Sequence, residues 1–282
     1  MNTFMRFPQG KSKALTFSYD DANRDDIRLV EIFNKYGLKG TFNINTGILA
    51  NSSGEEHLTV SEAKSLYASG GHEVAVHAVQ HPFLEQLPPI LALHEVLEDR
   101  AYIEREFGTI TRGMAYPFGT YSDAVVEVLR AAGIAYSRTV SCTENFGIGA
   151  DWLRLKATCH HNNPRLMELA EKFVNGSNNI PFNKGPWLFY VWGHSYEFTN
   201  NDNWNVIEDF AAYTSGKEDI WYATNIEIYD YIDAYKRLIF DYDGTRVYNP
   251  SAQDIWFLYE PVMHNPSSKM IKVPAGECVL VG

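Results

Sequence analysis

Residues 14–21 read ALTFSYDD, a largely apolar run that ends in two adjacent carboxylates, Asp20 and Asp21. The run predicts a buried strand, and carboxylates at the end of such a strand are costly unless something positive compensates them. A second apolar run, residues 73–76, ends in the sequence HAVQH, which places His77 and His81 four residues apart. Two histidines and one carboxylate are a ligand set for a divalent transition metal with open positions. The remaining carboxylate lies where a base would activate water, so the pattern predicts a metal-dependent hydrolase.

Strand-like and helix-like segments alternate along most of the chain. Strands are predicted at residues 14–19, 40–44, 73–77, 113–116, 134–138, 187–192 and 220–222. Helices are predicted at residues 25–36, 61–68, 90–107, 122–132, 204–212 and 226–239, and a long irregular stretch precedes one more helix near Pro164. Seven strand–helix units favour an α/β fold of the distorted or incomplete (β/α)7 barrel type over an open doubly wound sheet. Asp20, Asp21, His77 and His194 follow the C-terminal ends of predicted strands, which is the end that carries the active site in such barrels.

The sequence changes character from about Tyr242. Asp243-Gly244 is a hairpin signal, and short β-like stretches follow at residues 255–258, 270–273 and 278–281. We therefore expect residues 1–240 to form the barrel. Residues 241–282 are expected to form a small C-terminal β extension packed on the barrel, with no chemistry visible in its sequence.

Composition limits the partners of the chain. Its 282 residues include 24 Lys+Arg and 35 Asp+Glu, a formal net charge of −11, so neither nucleic acid nor an anionic membrane is an expected partner. No apolar run approaches the ~18 residues of a membrane span. The N terminus lacks the features of a signal peptide, and the 3 cysteines form no disulfide pattern. The expected location is the cytoplasm, or outside the cell if a leader has been removed.

The sequence resembles the polysaccharide deacetylases (the NodB-homology domain, carbohydrate esterase family 4). Residues 15–21 resemble the first family motif, and residues 77–81 resemble the second, H-x-x-x-H. Residues 115–119, AYPFG, resemble the third, normally R-x-P-[YF]-G. Gly193-His194 resembles the fifth, which supplies a histidine. The resemblance covers about residues 13–239 and implies a distorted barrel and a metal-dependent deacetylase.

The resemblance implies a role for each matching residue. Asp20 would be the general base, and His194 would be the general acid that protonates the leaving group. The metal ligands would be Asp21, His77 and His81. The metal is expected to be Zn2+, although such a ligand set also accepts Co2+, Ni2+ or Fe2+.

Further residues are candidates for contact with substrate. The backbone N–H of Phe118 would join the metal in stabilising the oxyanion of the tetrahedral intermediate. The other candidates flank the third and fifth motifs: Tyr116, Pro117, Trp192 and Tyr196. Glu197 follows Tyr196 and is a further candidate for the wall of the cleft.

The sequence departs from the family pattern at several positions. Ala22 stands where the first motif usually ends in glycine. Ala115 stands where the third motif has an arginine that commonly pairs with the catalytic aspartate. Arg112, three residues earlier, either reaches into the site or is a surface arginine at the start of a strand. The fourth motif is indistinct, and Asp151-Trp152 is its nearest candidate.

Other histidines lie outside these motifs. His160-His161 either lines the cleft or forms a polar loop before the helix near Pro164, and we favour the loop. The remaining histidines have no partners in the sequence and are expected to be structural: His57, His72, His94 and His264.

Three functions remain open at this stage. The preferred one is metal-dependent removal of N- or O-linked acetyl groups from a carbohydrate. The second is metal-dependent hydrolysis of a C–N bond in a small cyclic amide or imide, because members of the same wider fold cleave such bonds. The third is a non-catalytic carbohydrate-binding protein that has kept the barrel. The expected substrate is accordingly an acetylated sugar or a small amide.

Overall fold

The structure is a computed structural model that describes residues 2–178, 184–260 and 268–281. Its strands are β1 (Asn2–Arg6), β2 (Lys13–Asp20), β3 (Gly40–Ile44), β4 (Glu73–Val76), β5 (Gly113–Ala115), β6 (Tyr136–Cys142), β7 (Leu155–Ala157), β8 (Cys159–His160), β9 (Trp187–Gly193), β10 (Ile220–Tyr222), β11 (Ile239–Phe240), β12 (Arg246–Tyr248), β13 (Ile255–Glu260), β14 (Lys269–Val273) and β15 (Cys278–Leu280). Its helices are α1 (Asp26–Tyr36), α2 (Thr46–Ala50), α3 (Val60–Ala68), α4 (Pro89–Phe107), α5 (Asp123–Ala131), α6 (Leu166–Asn175), α7 (Tyr196–Asn200), α8 (Trp204–Thr214) and α9 (Asn225–Lys236).

A large parallel sheet forms the core of the fold. Its strands follow the order β7-β6-β5-β4-β3-β2-β9-β8, and β10 pairs with the first residues of β2. β7 and β8 are two halves of one segment, residues 155–160, in which the N–H of Thr158 donates to Tyr190 O at 2.8 Å. The first half pairs with β6 and the second with β9, so this closing segment completes a ring of strands. The predicted α/β fold with a distorted barrel is confirmed.

The closing segment was not predicted, because it lies within the stretch interpreted as irregular. Its two strand pieces are short and bend at Thr158, so neither carries the sustained alternation that identifies a strand in a sequence. The strand predicted at residues 220–222 is present as β10, but it pairs only with residues 13–15 of β2 among the described strands. The barrel therefore closes through residues 155–160.

The central strand β2 is buried along its whole length. Its odd-numbered residues 15–19 are apolar and belong to the large cluster packed under the helices, where the Phe17 and Phe33 rings lie 4.5 Å apart. Its even-numbered residues 16–20 are polar and bond inside the ring, as when Asn43 Nδ2 donates to Ser18 Oγ at 2.8 Å. Because side chains alternate along a strand, this parity directs Asp20 into the barrel.

Helix boundaries follow local signals in the sequence. α1 ends at Tyr36 because Gly37 takes the left-handed conformation, with φ 65°, that such a helix end requires. α5 begins after Ser122, whose side chain accepts the N–H of Val125. Both boundaries lie within a residue of the prediction. No helix among residues 2–178, 184–260 and 268–281 combines the length and apolar content needed to cross a membrane.

The C-terminal extension contains two small antiparallel sheets, as its hairpin and strand signals predicted. One has the order β1-β13-β14 and the other β11-β12-β15. The N-terminal strand β1 pairs with β13 from Asn2↔Glu260 to Arg6↔Trp256. Residues 2–6 thus belong to a sheet of the extension, whereas the sequence placed them with the barrel. Such pairing between distant segments leaves no local sequence signal.

Candidate metal centre

The predicted site residues meet at the C-terminal end of the barrel. β2 ends at Asp20, β4 ends immediately before His77, and β9 ends immediately before His194. β2 is hydrogen-bonded to both β3 and β9, with Asp20 opposite Asn43 and Tyr19 opposite Gly193. Parallel strands present their carboxyl ends at one edge, so this register brings the two aspartates and His194 together.

Asp21, His77 and His81 form a compact group of possible metal ligands. One ligand atom from each lies within 4.8 Å of the others. His77 Nε2 is 3.7 Å from Asp21 Oδ1, and the His77 and His81 ring centroids are 4.7 Å apart. The structure thus brings together the two histidines and the carboxylate that the sequence proposed.

The backbone around these residues adopts an unusual conformation. Positive φ angles occur at Asp21 (79°), Ala22 (49°), Ala78 (64°), His81 (53°) and Phe118 (57°). An L-residue in this region costs about 1–2 kcal/mol, and such strain concentrates at functional sites. Ala22 therefore keeps a conformation for which glycine is better suited, which explains why its position favours glycine.

The hydrogen bonds of His77 prepare it to bind a metal. Its Nδ1 lies 2.8 Å from Ala115 O, so Nδ1 donates a proton to that carbonyl and Nε2 keeps its lone pair on the Asp21 side. Its backbone N–H donates to Asp99 Oδ2 at 2.9 Å, and Asp99 Oδ1 accepts the N–H of Thr46. Burial lowers the pKa of His77 to about 4, which keeps the ring neutral. The donor set fits a divalent metal.

The two aspartates differ in their electrostatics. Burial by itself raises the pKa of Asp20, but the charges of Arg138, His77 and His194 outweigh it and lower that pKa to about 2. Burial, followed by the charge of Asp20, raises the pKa of Asp21 to about 6. Ionising Asp21 next to Asp20 is unfavourable without a positive charge nearby. A bound cation is therefore strongly stabilised at this position.

Arg138 supplies the arginine that the third motif lacks. It lies on β6 directly opposite Ala115 of β5 in the register of the sheet. Its Nη2 forms a buried ion pair with Asp20 Oδ2, and its Nε donates to Ser18 Oγ at 3.2 Å. The guanidinium also lies over the Trp192 ring, 4.5 Å from its centroid. The arginine therefore lies on the neighbouring strand, opposite the position at which the family motif has it.

Of the two alternatives for Arg112, the structure agrees with the surface arginine at the start of a strand. Its Nη2 pairs with Asp230 Oδ2 at 2.6 Å, with both side chains about one-third exposed. The sequence did contain a signal for Arg138, because it lies at the end of the strand predicted at residues 134–138, and a charged residue in the buried part of a strand needs a partner of opposite charge.

His194 lies between the aspartates and Glu197. Its Nε2 is 3.8 Å from Asp20 Oδ2 and 3.9 Å from Asp21 Oδ2. Its Nδ1 is 2.9 Å from Glu197 Oε1. Burial alone would lower the pKa of His194, but the hydrogen bond with Glu197 and the nearby carboxylates raise it overall. The protonated form suited to a general acid is therefore favoured.

The favoured interpretation of His160-His161 as a polar loop is only partly right, because a turn does begin at His161 but its side chain is buried. His160 ends β8, and His161 is completely buried with its ring 4.0 Å from that of Phe198. With Glu197 the two histidines form a second group whose possible ligand atoms lie within 4.8 Å of one another. Their burial depends on α7, which the sequence analysis did not predict.

The remaining candidates divide into those near the site and those that stabilise turns. The Phe118 ring is 4.4 Å from that of His81, and the Tyr196 ring is 5.1 Å from that of His194. Tyr116 and Pro117 are buried, and the Tyr116 hydroxyl donates to Leu153 O at 2.7 Å. They shape the turn after β5, so their predicted contact with substrate is not supported.

Asp151 and Trp152, the candidates for the fourth motif, also have structural contacts. Asp151 accepts the N–H of Leu153 at 3.2 Å and pairs with Arg154 at 2.7 Å. The Trp152 ring packs edge-on against Tyr229 at 5.2 Å. These contacts give both residues a role in stabilising the short turn before β7.

The sequence analysis missed one exposed aromatic residue close to the site. Phe83 stacks on Phe118 with ring centroids 3.9 Å apart and planes at 13°. Phe83 is 38% exposed and Phe118 is 48% exposed. We call this pair the aromatic shelf. It presents an apolar surface beside His81, and surfaces of this kind commonly mark binding sites.

Comparison with known proteins gives one family and several similar folds. Residues 7–137 match the family model described as polysaccharide deacetylase. The chain is 26% identical over 121 residues to the putative polysaccharide deacetylase YxkH of Bacillus subtilis (strain 168), a match that covers 43% of this chain and 41% of that protein. The chain therefore spans less than half the length of this curated relative.

Two solved structures are similar in fold. A putative polysaccharide deacetylase from Mycobacterium smegmatis is 16% identical with a TM-score of 0.58, over 82% of this chain and 93% of that one. A mutant of a Bacillus anthracis pseudoenzyme of family CE4, with restored enzymatic activity, is 17% identical with a TM-score of 0.51. That match covers 80% of this chain and 70% of the other.

Proposed function

Because this chain belongs to the polysaccharide deacetylase family, we propose that it is a metal-dependent hydrolase that removes N- or O-linked acetyl groups from a carbohydrate. One observation carries the proposal. A possible metal-ligand set, an ionised carboxylate and a histidine favoured in its protonated form converge at one end of the barrel. Acyl transfer to water needs these components together.

Asp21, His77 and His81 would hold the metal, for which we propose Zn2+. When bound, it would supply a Lewis acid that polarises the acyl carbonyl and makes a bound water more acidic. The ring of Phe118 contacts that of His81. The backbone N–H of Phe118 is the proposed additional donor to the oxyanion.

Asp20 and His194 would move the protons. Asp20 is held ionised by Arg138 and would accept a proton from the attacking water as the oxygen adds to the acyl carbon. His194 would give its Nε2 proton to the nitrogen or oxygen of the sugar as the bond to the acyl carbon breaks. Glu197, bonded to Nδ1, would hold the ring so that Nε2 is on the side of the two aspartates.

Removal of the metal should abolish the activity and addition of Zn2+ should restore it. Dialysis against a chelator, kinetics on acetylated chitooligosaccharides and elemental analysis of the protein would test this. Since Asp21 must lose its proton to bind a cation and its pKa is about 6, metal affinity should fall as the pH drops below about 6. Undiminished hydrolysis by metal-free protein would exclude the mechanism.

The aromatic shelf supports a sugar substrate, because the apolar face of a pyranose ring can pack against an exposed aromatic ring. Phe83→Ala should raise KM for acetylated oligosaccharides roughly fivefold, the equivalent of about 1 kcal/mol of lost ring contact, and leave kcat nearly unchanged. Leu280→Ala, which truncates a 71% exposed side chain in the extension, is the matched control and should change neither constant. An unchanged KM in Phe83→Ala would remove the shelf from the substrate site.

A non-catalytic carbohydrate-binding protein is the second candidate, because the fold is also found in a pseudoenzyme. The two are separated by one experiment on metal-loaded protein. Release of acetate from acetylated oligosaccharides supports the hydrolase. Glycan binding without any release of acetate supports the binding protein.

A further inference from the structure

A second cluster of possible metal ligands lies behind His194, outside the metal centre. Glu197 Oε2 is 2.9 Å from His161 Nε2 and 3.2 Å from His160 Nε2. Two histidines and a carboxylate at this spacing have two interpretations. They could hold a second metal ion, or the carboxylate could accept hydrogen bonds from both rings.

The hydrogen bonds of His160 decide between these interpretations. The backbone N–H of Asn162 donates to His160 Nδ1 at 3.1 Å, so Nδ1 carries the lone pair. In a neutral imidazole the proton then lies on Nε2, which faces Glu197. A metal at Nε2 would need a lone pair there. His160 is therefore arranged as a donor to Glu197.

His161 is fixed in place more firmly than His160. Its ring packs against those of Tyr19 and Phe198, with centroid distances of 5.7 Å and 4.0 Å. Its backbone N–H donates to Trp192 O at 2.9 Å. The ring fits because residue 193 is glycine, since a Cβ there would lie 2.0 Å from His161 Nδ1. Burial lowers the pKa of His161 to about 4, which keeps the ring neutral, and its Nε2 lies 2.9 Å from Glu197 Oε2.

Glu197 is surrounded by donors. Asn162 Nδ2 donates to Oε2 at 2.9 Å, and the Nε2 atoms of His161 and His160 lie 2.9 Å and 3.2 Å from the same oxygen. Burial alone would raise the pKa of Glu197, but the hydrogen bonds from His160, His161 and His194 hold it far below its usual range. The carboxylate stays ionised, with Oε2 directed to the cluster and Oε1 left for His194 Nδ1 at 2.9 Å.

We propose that His160, His161 and Asn162 are positioning residues that fix the Glu197 carboxylate against Nδ1 of His194, and that this cluster is not a second metal site. The inference rests on the proposed function, in which His194 is the general acid. Its consequence is that the ring of His194 has one tautomer and one orientation, with Nε2 directed to Asp20 and Asp21. His160, the last residue of the closing segment, would thus act on the proposed reaction through Glu197.

The dependence of the rate on the leaving group tests the proposal. An N-acetylated sugar needs its leaving amine protonated, whereas 4-nitrophenyl acetate releases an anion that needs no proton. His160→Gln and Asn162→Ala should each lower kcat on the N-acetylated sugar about tenfold, with kcat on the nitrophenyl ester within about twofold of the wild type. KM should not change, and His94→Gln, an exposed histidine on α4, should alter neither rate.

Two further measurements do not depend on activity. Nitrogen-15 NMR of the wild type, at a pH where the His194 ring is neutral, should show its single proton on Nδ1, with Nε2 gaining the second proton as the pH falls, and His160→Gln should show a mixture of tautomers in the neutral ring. Elemental analysis should find the same metal content per chain in both proteins. An equal loss on both substrates, or the loss of one bound ion in His160→Gln, would overturn the proposal. If no protein hydrolyses either substrate, the proposed function fails, and the NMR and metal content still decide this inference.

Discussion

Asp20→Asn should lower the hydrolysis of acetylated sugars by roughly 10²–10⁴-fold, the usual contribution of a general base, without loss of the bound metal. The amide is similar in size to the carboxylate and can still accept the hydrogen bond that Asn43 Nδ2 donates to Asp20 Oδ1 at 2.8 Å. It cannot take a proton from water. Steady-state kinetics and the metal content of the purified variant would measure both parts of the prediction.

The matched control is Asp243→Asn, which removes a carboxylate from an exposed turn of the extension. It should retain wild-type kinetics. If Asp20→Asn keeps its metal and also turns over at the wild-type rate, Asp20 is not the base. If the metal is lost with the activity, Asp20 contributes to binding the ion, and the separation of the two aspartates into base and ligand is wrong.

Arg138→Leu should destabilise the protein by about 3–5 kcal/mol, because it leaves the buried Asp20 without its counter-charge. The effect should depend on pH. In the wild type the folded-state pKa of Asp20, about 2, lies below its ordinary value of 3.8, so its stabilisation is present above that value and is lost only as the pH falls through about 2. Without Arg138, burial should raise this pKa above its ordinary value. Relative to the wild type, the variant should then regain stability as the pH is lowered from 7 to 5.

Urea unfolding of metal-free wild type and variant at each pH would measure this difference. Arg112→Leu is the control, because it breaks a partly exposed ion pair with Asp230 that is worth about 1 kcal/mol or less. The double variant Asp20→Asn, Arg138→Leu should recover part of the stability lost in Arg138→Leu, since the unpaired charge is gone. If the two arginine variants lose the same amount of stability, the buried ion pair contributes no more to the free energy of unfolding than the partly exposed one.

Much of the site could be predicted because it is encoded locally. A buried strand that ends in two aspartates, and a second that ends in two histidines, identify strand ends and ligand chemistry without knowledge of the partner strands. The role of Arg138 could not be predicted from the local sequence. Its importance follows from the pairing of Ala115 with Arg138 between β5 and β6, and a register between strands is a tertiary fact. The same holds for His161, whose burial depends on packing against Phe198 of α7.

The fold shows the same division. Helices with clear caps and long apolar strands were predicted within a few residues, because propensity and periodicity act over short distances. The closing segment was missed because each half is short and is a strand only through its pairing with another strand, β6 for the first half and β9 for the second. β1 was missed because its partner, β13, lies at the other end of the chain.

The closing segment ends in His160, so the strand that completes the ring also supports His194, the proposed proton donor. Closure of the barrel and the proposed proton transfer by His194 therefore both depend on His160. A change that loosens residues 155–160 from β9 should disturb the alignment of His194, while Asp21, His77 and His81, which follow β2 and β4, keep their places. Such a protein should still bind its metal ion but release acetate slowly. Its turnover would then report whether residues 155–160 remain paired with β9.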